Sequence, residues 1–150
     1  KNLPLALHDT ARYDVWLANR RGNKYSNKHV VYRPGQPEFW DWSIDETALY
    51  DLPAMVEHVL EVTGCGSLVL IGFSQGTAEI FAGLSLNARL AKRVSLVVAL
   101  AAMTRPRPVS NSLISSLIHS TPDLLFLFFG RRALLGSVLF WQDVMSPEAY

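Results

Sequence analysis

Ser74 is the residue of this chain best suited to covalent chemistry. It stands in Gly72-Phe73-Ser74-Gln75-Gly76, a G-x-S-x-G pattern. Average Gly and Ser usage gives about 0.05 chance matches in a chain of this length, so the flanking residues decide what the pattern means. An apolar run of strand composition, Ser67 to Ile71, leads directly into it; a stretch of helix formers, Thr77 to Leu86, leads out. A serine on a tight turn between a strand and a helix exposes its hydroxyl, and flanking glycines remove Cβ atoms where backbone comes close. The helix that follows points its first amides at the site, so the Gln75 N–H is placed to donate to a developing oxyanion. The chemistry is acyl transfer, with Ser74 as nucleophile and Gln75 as backbone oxyanion donor. The alternative is a strand-to-helix turn carrying an unreactive serine.

A serine nucleophile needs a base, and the histidines are His8, His29, His58 and His119. In the order serine, acid, histidine that accompanies such an elbow, the only downstream histidine is His119 and the only acid before it is Glu79. Glu79 lies five residues past Ser74 on the same helix and is expected to point into the scaffold, which makes it a poor partner. The acid and base are therefore expected beyond Tyr150. The second oxyanion donor is expected before Lys1, because His8-Asp9 lacks the glycines of such a loop. The absence of a start methionine and the abrupt end at Glu148-Ala149-Tyr150 fit a fragment. A lone histidine on an amphipathic helix, such as His58 or His119, is more often structural than catalytic. Cys65, between two glycines and without a basic neighbour, is expected to be an inert thiol.

The elements that must position Ser74 follow from periodicity. Leu52, Val56, Val59 and Leu60 recur at helical spacing, with Glu57 and Glu61 on another face. Asp51 and Pro53 suit the first turn of that helix, and Gly64 and Gly66 its end. Val94 to Leu100 is a second, nearly uninterrupted apolar run, of the kind found in parallel strands covered on both faces. Tyr13 to Leu17 alternates and suits a further short strand. Strand, helix, strand, helix, strand is the order of an α/β domain. Asn19 to Gln36 reads as a long polar loop. Within it, Arg21 to His29 is either an ordered loop held by Asn and Ser or a second site, and the former is favoured. Phe39, Trp40 and Trp42 read as loop anchors. After Thr104 the pattern changes to short apolar helices, Leu113 to Ile118, and an apolar run, Leu124 to Phe129.

Composition excludes several classes. The 150 residues carry 14 Lys+Arg and 13 Asp+Glu, which lacks the basic excess of a phosphate-held nucleic-acid binder. With 49% hydrophobic and 18% charged residues, the chain is not of disordered type. One cysteine rules out an internal disulfide framework and a multi-cysteine zinc site. No 18-residue uncharged apolar run reads as a spanning helix. Between Glu79 and Asp123 there is no acid, while Arg89, Lys92, Arg93, Arg105 and Arg107 are basic. That stretch suits either a solvated face or an anionic membrane surface.

Several segments together resemble the acid lipases and steryl ester hydrolases. They are Tyr13-Asp14-Val15-Trp16-Leu17, Arg21-Gly22-Asn23, Tyr25-Ser26 with His29, Phe39-Trp40-Asp41-Trp42-Ser43, Tyr50-Asp51-Leu52-Pro53-Ala54 and Gly72-Phe73-Ser74-Gln75-Gly76-Thr77-Ala78. Leu125-Phe126-Leu127-Phe128-Phe129-Gly130-Arg131-Arg132 with Trp141-Gln142 is most similar to the fungal branch, as is Phe73, where the animal proteins usually carry His. The resemblance implies a partial α/β-hydrolase fold over residues 1–102 and the start of a helical cap over 103–150. It implies Ser74 as the acylated nucleophile, Gln75 as an oxyanion amide, and hydrolysis of steryl esters or acylglycerols with no metal or organic cofactor. The implied partners are a lipid ester and an intracellular membrane or lipid-droplet surface, with no nucleic acid. The family's catalytic Asp and His have no matching positions, so the isolated chain is expected to be inactive. A non-catalytic lipid-binding or interaction module, and an acyltransferase or thioesterase built on the same elbow, remain as alternatives.

Overall fold

A computed structural model describes residues 2–104. Among them, the helices and strands that sequence periodicity marks are present, with three differences. The helix α1 (Leu3–Asp9) is capped by Asn2, whose Oδ1 accepts from the Leu5 N–H at 3.1 Å. A longer helical run comprises α2 (Ile44–Glu46), a π-helical turn (Thr47–Asp51) and α3 (Leu52–Thr63). Then follow β1 (Leu68–Phe73), α4 (Gln75–Leu86), α5 (Ala88–Ala91) and β2 (Val94–Leu100). Lys1–Arg20 and Ser43–Thr104 form one unit, and Arg21–Trp42 belongs to a second.

The first difference concerns where α3 begins. Asp51 is not at a free helix start, because the run opens eight residues earlier. Ser43 Oγ accepts from the Asp45 N–H at 3.0 Å, and Glu46 Oε2 accepts from the Ser43 N–H at 2.6 Å, a reciprocal cap. Pro53, which reads as a first-turn residue, instead sits just beyond the π turn, where the Leu52 N–H reaches back to Thr47 O. Proline has no N–H to give to residue 49, and its ring crowds that carbonyl in a regular α-helix. A widened turn immediately before it accommodates both deficits. The helix stops where expected: Gly64 takes φ +68° and its N–H bonds Leu60 O at 2.9 Å.

The second difference is that Tyr13–Leu17 forms no strand. Its Trp16 instead donates Nε1–H to Asp14 Oδ2 at 2.9 Å and sets its ring edge-on to His58, 6.1 Å between centroids. β-Propensity expresses fit to a pleated, half-buried surface, and among the described residues this segment has no ladder to join. The third is that, among the described residues, β1 and β2 are covered on one face. They pair in parallel, Leu70 opposite Val97 and Phe73 opposite Leu100, with a register shift between Leu68 and Val69. Leu68, Leu70 and Val97 pack on the buried cluster of Leu52, Val56, Leu60, Ile80 and Leu90. Val69, Ile71 and Phe73 alternate to the other side and are exposed among the described residues.

Helix α4 lies unusually close to the π turn. A Cβ on Gly83 would stand 2.9 Å from Ala48 O and 2.8 Å from Leu52 Cδ2. Glycine is therefore required by proximity here, not by its backbone angles. No helix of the described residues is long and apolar enough to cross a membrane.

The second unit is an ordered loop in the described span. Asn23 Oδ1 accepts from the Tyr25 and Ser26 N–H groups at 2.7 and 3.0 Å, and Gly22 takes φ +84° with its N–H on Ser26 O. The ring of Trp42 occupies the space a Gly22 side chain would need. A 3₁₀ turn, Pro37–Trp40, buries Phe39 against Trp40. The Trp40 and Trp42 indole N–H groups bond Pro34 O and Phe39 O, so these aromatics anchor loop backbone as their composition suggests. The cap expected over 103–150 lies, apart from Met103 and Thr104, outside the described residues. So do Leu113 to Ile118, Leu124 to Phe129 and His119.

Candidate active site

The turn expected over Gly72 to Gly76 is sharper than the sequence suggests. β1 continues through Phe73, α4 starts at Gln75, and Ser74 alone makes the bend, at φ +51° and ψ −117°. A non-glycine residue held there costs on the order of 1–3 kcal/mol, so the surroundings must over-determine it. Three hydrogen bonds do so. The Ser74 N–H donates to Leu100 O at 2.9 Å, tying the bend to the end of β2. Ser74 O accepts from the Thr77 N–H at 3.0 Å and from Thr77 Oγ1–H at 2.6 Å. Thr77 Oγ1 in turn accepts the Met103 N–H at 2.9 Å. Thr77 is wholly buried, so its hydroxyl is a fixed strut between the elbow and the chain leaving β2. That chain turns at Ala101, itself at φ +48°.

The two motif glycines do different work. A Cβ on Gly72 would lie 3.1 Å from Gly76 C and from Thr77 N and 2.8 Å from Ile80 Cδ1, so the close approach of strand and helix needs a glycine there. A Cβ on Gly76 would meet nothing within 4 Å among the described residues. The expectation that both relieve crowding is therefore corrected for Gly76.

Ser74 is half-buried, and the Gln75 N–H is the first amide of α4, which has no acceptor within the helix. The Gln75 side chain is exposed but not loose. Arg20 donates Nη2–H to Gln75 Oε1 at 3.3 Å and pairs through Nη1 with Oε1 of Glu79, which is buried. Glu79 thus serves an ion pair with Arg20. Two of the described histidines have partners elsewhere: His58 against Trp16, and His29 with Nδ1 accepting the Val31 and Tyr32 N–H groups at 3.0 and 2.9 Å. His8 lies in the last turn of α1. Cys65 is exposed. No cluster of three His, Cys, Asp or Glu side chains among the described residues is arranged to hold a metal ion.

Sequence reasoning missed Arg20 and Thr77. Thr77 had a local signal, since a threonine in a first helical turn can return its hydroxyl to the i−3 carbonyl. Arg20 had none, because its partner lies 59 residues away.

A parallel strand pair joined through a one-residue elbow and a helix defines an α/β protein with a serine at the strand end. The family model of the α/β hydrolase fold matches residues 2–143, and the chain belongs to that family. It is 43% identical over 150 residues to a protein of Schizosaccharomyces pombe named as a probable lipase, covering 100% of this chain and 34% of that protein. It is 40% identical over 139 residues to the gastric triacylglycerol lipase of Rattus norvegicus, covering 92% of this chain and 34% of the lipase. With human lipase member K the identity is 38% over 134 residues, covering 89% and 33%. The chain spans about a third of the length of these relatives.

Proposed function

We propose that this chain carries the nucleophile of a serine hydrolase acting on lipid esters. In this reading Ser74 Oγ attacks the ester carbonyl. The C–O bond to the alcohol breaks, the alcohol leaves with the proton taken from the serine, and water then releases the fatty acid from the acyl-serine. The Gln75 N–H donates to the oxyanion in both steps. The general base and its acid come from outside residues 2–104. The observation that carries the reading is the bend at Ser74, a strained serine at a strand–helix junction held by three hydrogen bonds. Lipase-named relatives over nearly the whole chain support the lipid-ester class. Within it we favour steryl esters, with triacylglycerols second, on the resemblance of the motif segments to the fungal branch. Residues 103–150 are assigned to the cap. Because such esters partition out of water, the working site is an intracellular membrane or lipid-droplet surface.

The test uses the full-length protein. A fluorophosphonate probe labels Ser74 with loss of fluoride, and Ser74→Ala abolishes both labelling and cleavage of cholesteryl oleate and triolein. Cleavage undiminished in that variant removes Ser74 from the mechanism.

A further inference from the structure

The residue adjoining the nucleophile has one job through its backbone and a separate restraint through its side chain. Gln75 and Glu79 are one helical turn apart, so their side chains share a face of α4. Arg20 spans the two, with one arm of its guanidinium on Glu79 Oε1 and the other on Gln75 Oε1. The two ends differ in burial: Glu79 is 9% exposed, whereas Gln75 is exposed. A buried carboxylate without a partner is strongly disfavoured, so the Glu79 end is the fixed one. From that anchor the planar guanidinium projects its second donor in a set direction. Arginine only donates, so the Gln75 amide must present its oxygen to it, which fixes the amide's orientation as well as its place.

The restraint falls where α4 is weakest. The first turn of a helix lacks intrahelical acceptors for its N–H groups and frays first. Here Thr77 fixes the turn from the buried side, through Ser74 O and the Met103 N–H. Arg20 fixes it from the partly exposed side, at residue 75 itself. We propose that Arg20 is a positioning residue. Anchored on buried Glu79, it holds Gln75 so that its backbone N–H stays aimed at the oxyanion formed on Ser74. The inference rests on the reading of Ser74 as nucleophile and Gln75 as oxyanion donor.

Two substitutions separate this role from plain charge neutralisation. Arg20→Lys keeps a cation for Glu79 but lacks the fork that also reaches Gln75. Gln75→Ala keeps the backbone N–H and removes only the restrained side chain. Both are made in the full-length protein, with folding followed by thermal melting. The readouts are steady-state hydrolysis of p-nitrophenyl butyrate and the rate of fluorophosphonate labelling at Ser74. Removing an oxyanion donor outright costs about 10²–10³ in kcat; a loosened one should cost about tenfold. Each variant is expected to lose about tenfold in kcat and in labelling rate with KM within about twofold, and the double variant to lose no more than either alone. Wild-type kcat in Arg20→Lys, or multiplying losses in the double variant, would overturn the role of Arg20. Wild-type protein left unlabelled at Ser74 would instead overturn the reading beneath it, so the two failures are distinct.

Discussion

Replacing Thr77 by valine removes one oxygen and almost nothing else. The side chains have the same shape, so no cavity opens at this wholly buried position. Two hydrogen bonds are lost: the 2.6 Å bond to Ser74 O and the 2.9 Å bond from the Met103 N–H. A typical bond contributes about 0.5–1.5 kcal/mol. Ser74 O keeps its bond from the Thr77 N–H at 3.0 Å, and Met103 is 37% exposed, within reach of water. Neither group is left fully stranded, which places the expected loss at about 1–2 kcal/mol rather than at the larger penalty for an unsatisfied buried pair. Thr77→Ser is the control: it keeps both bonds and deletes one methyl, costing about 1 kcal/mol. Urea unfolding of the full-length protein gives the two stabilities, and labelling of Ser74 by a fluorophosphonate separates the variants. Valine should slow labelling because Ser74 O loses the shorter of its two hydrogen bonds and the link to Met103 is cut, whereas serine should not. A Thr77→Val protein within about 0.5 kcal/mol of wild type, labelled at the wild-type rate, would show that the hydroxyl is no strut.

Gly83→Ala gains about 1 kcal/mol in helix propensity but sets a methyl 2.9 Å from Ala48 O. Overpacking against backbone costs about 1–3 kcal/mol, so thermal melting should show net destabilisation; a raised Tm would mean that α4 and the π turn separate freely. Ser43→Ala removes one half of the reciprocal cap and should cost about 1 kcal/mol in urea unfolding. No change there would show that the Ser43 cap contributes little to the helical run.

Both strands, α3 and the elbow were legible because each is written in consecutive residues. Leu68 to Phe73 and Val94 to Leu100 are short apolar runs next to turn formers, and Gly64 ends α3 as a left-handed cap. The beginning of the helical run was misread for a local reason. Asp51-Leu52-Pro53 imitates a helix start, and the true start, Ser43-Ile44-Asp45-Glu46, carries the capping-box pattern eight residues earlier. Two start signals in one helix are reconciled only by the π turn, which no local pattern announces. Tyr13 to Leu17 has strand composition, but strand formation depends on a neighbour that composition does not supply. The Arg20–Glu79 pair was invisible because fold, not spacing, brings residues 59 apart together.

The bend at Ser74 is therefore supported from within residues 68–103. Its φ costs on the order of 1–3 kcal/mol, and a relaxed φ would swing the Ser74 N–H off Leu100 O and its carbonyl off Thr77. Three bonds of about 0.5–1.5 kcal/mol each are comparable to or larger than that strain, so straightening the chain gains little and loses packing besides. Gly72 completes the arrangement, because any side chain there would push Gly76 and Thr77 away from β1. On the mechanism proposed above, holding Ser74 at its bend is thus separable from activating it. The first task is done by Gly72, Thr77 and Leu100, all within one strand–helix–strand unit, and the second, in that proposal, falls to a base outside residues 2–104. Substitutions at Thr77 should therefore slow fluorophosphonate labelling of Ser74 through the geometry of the bend alone.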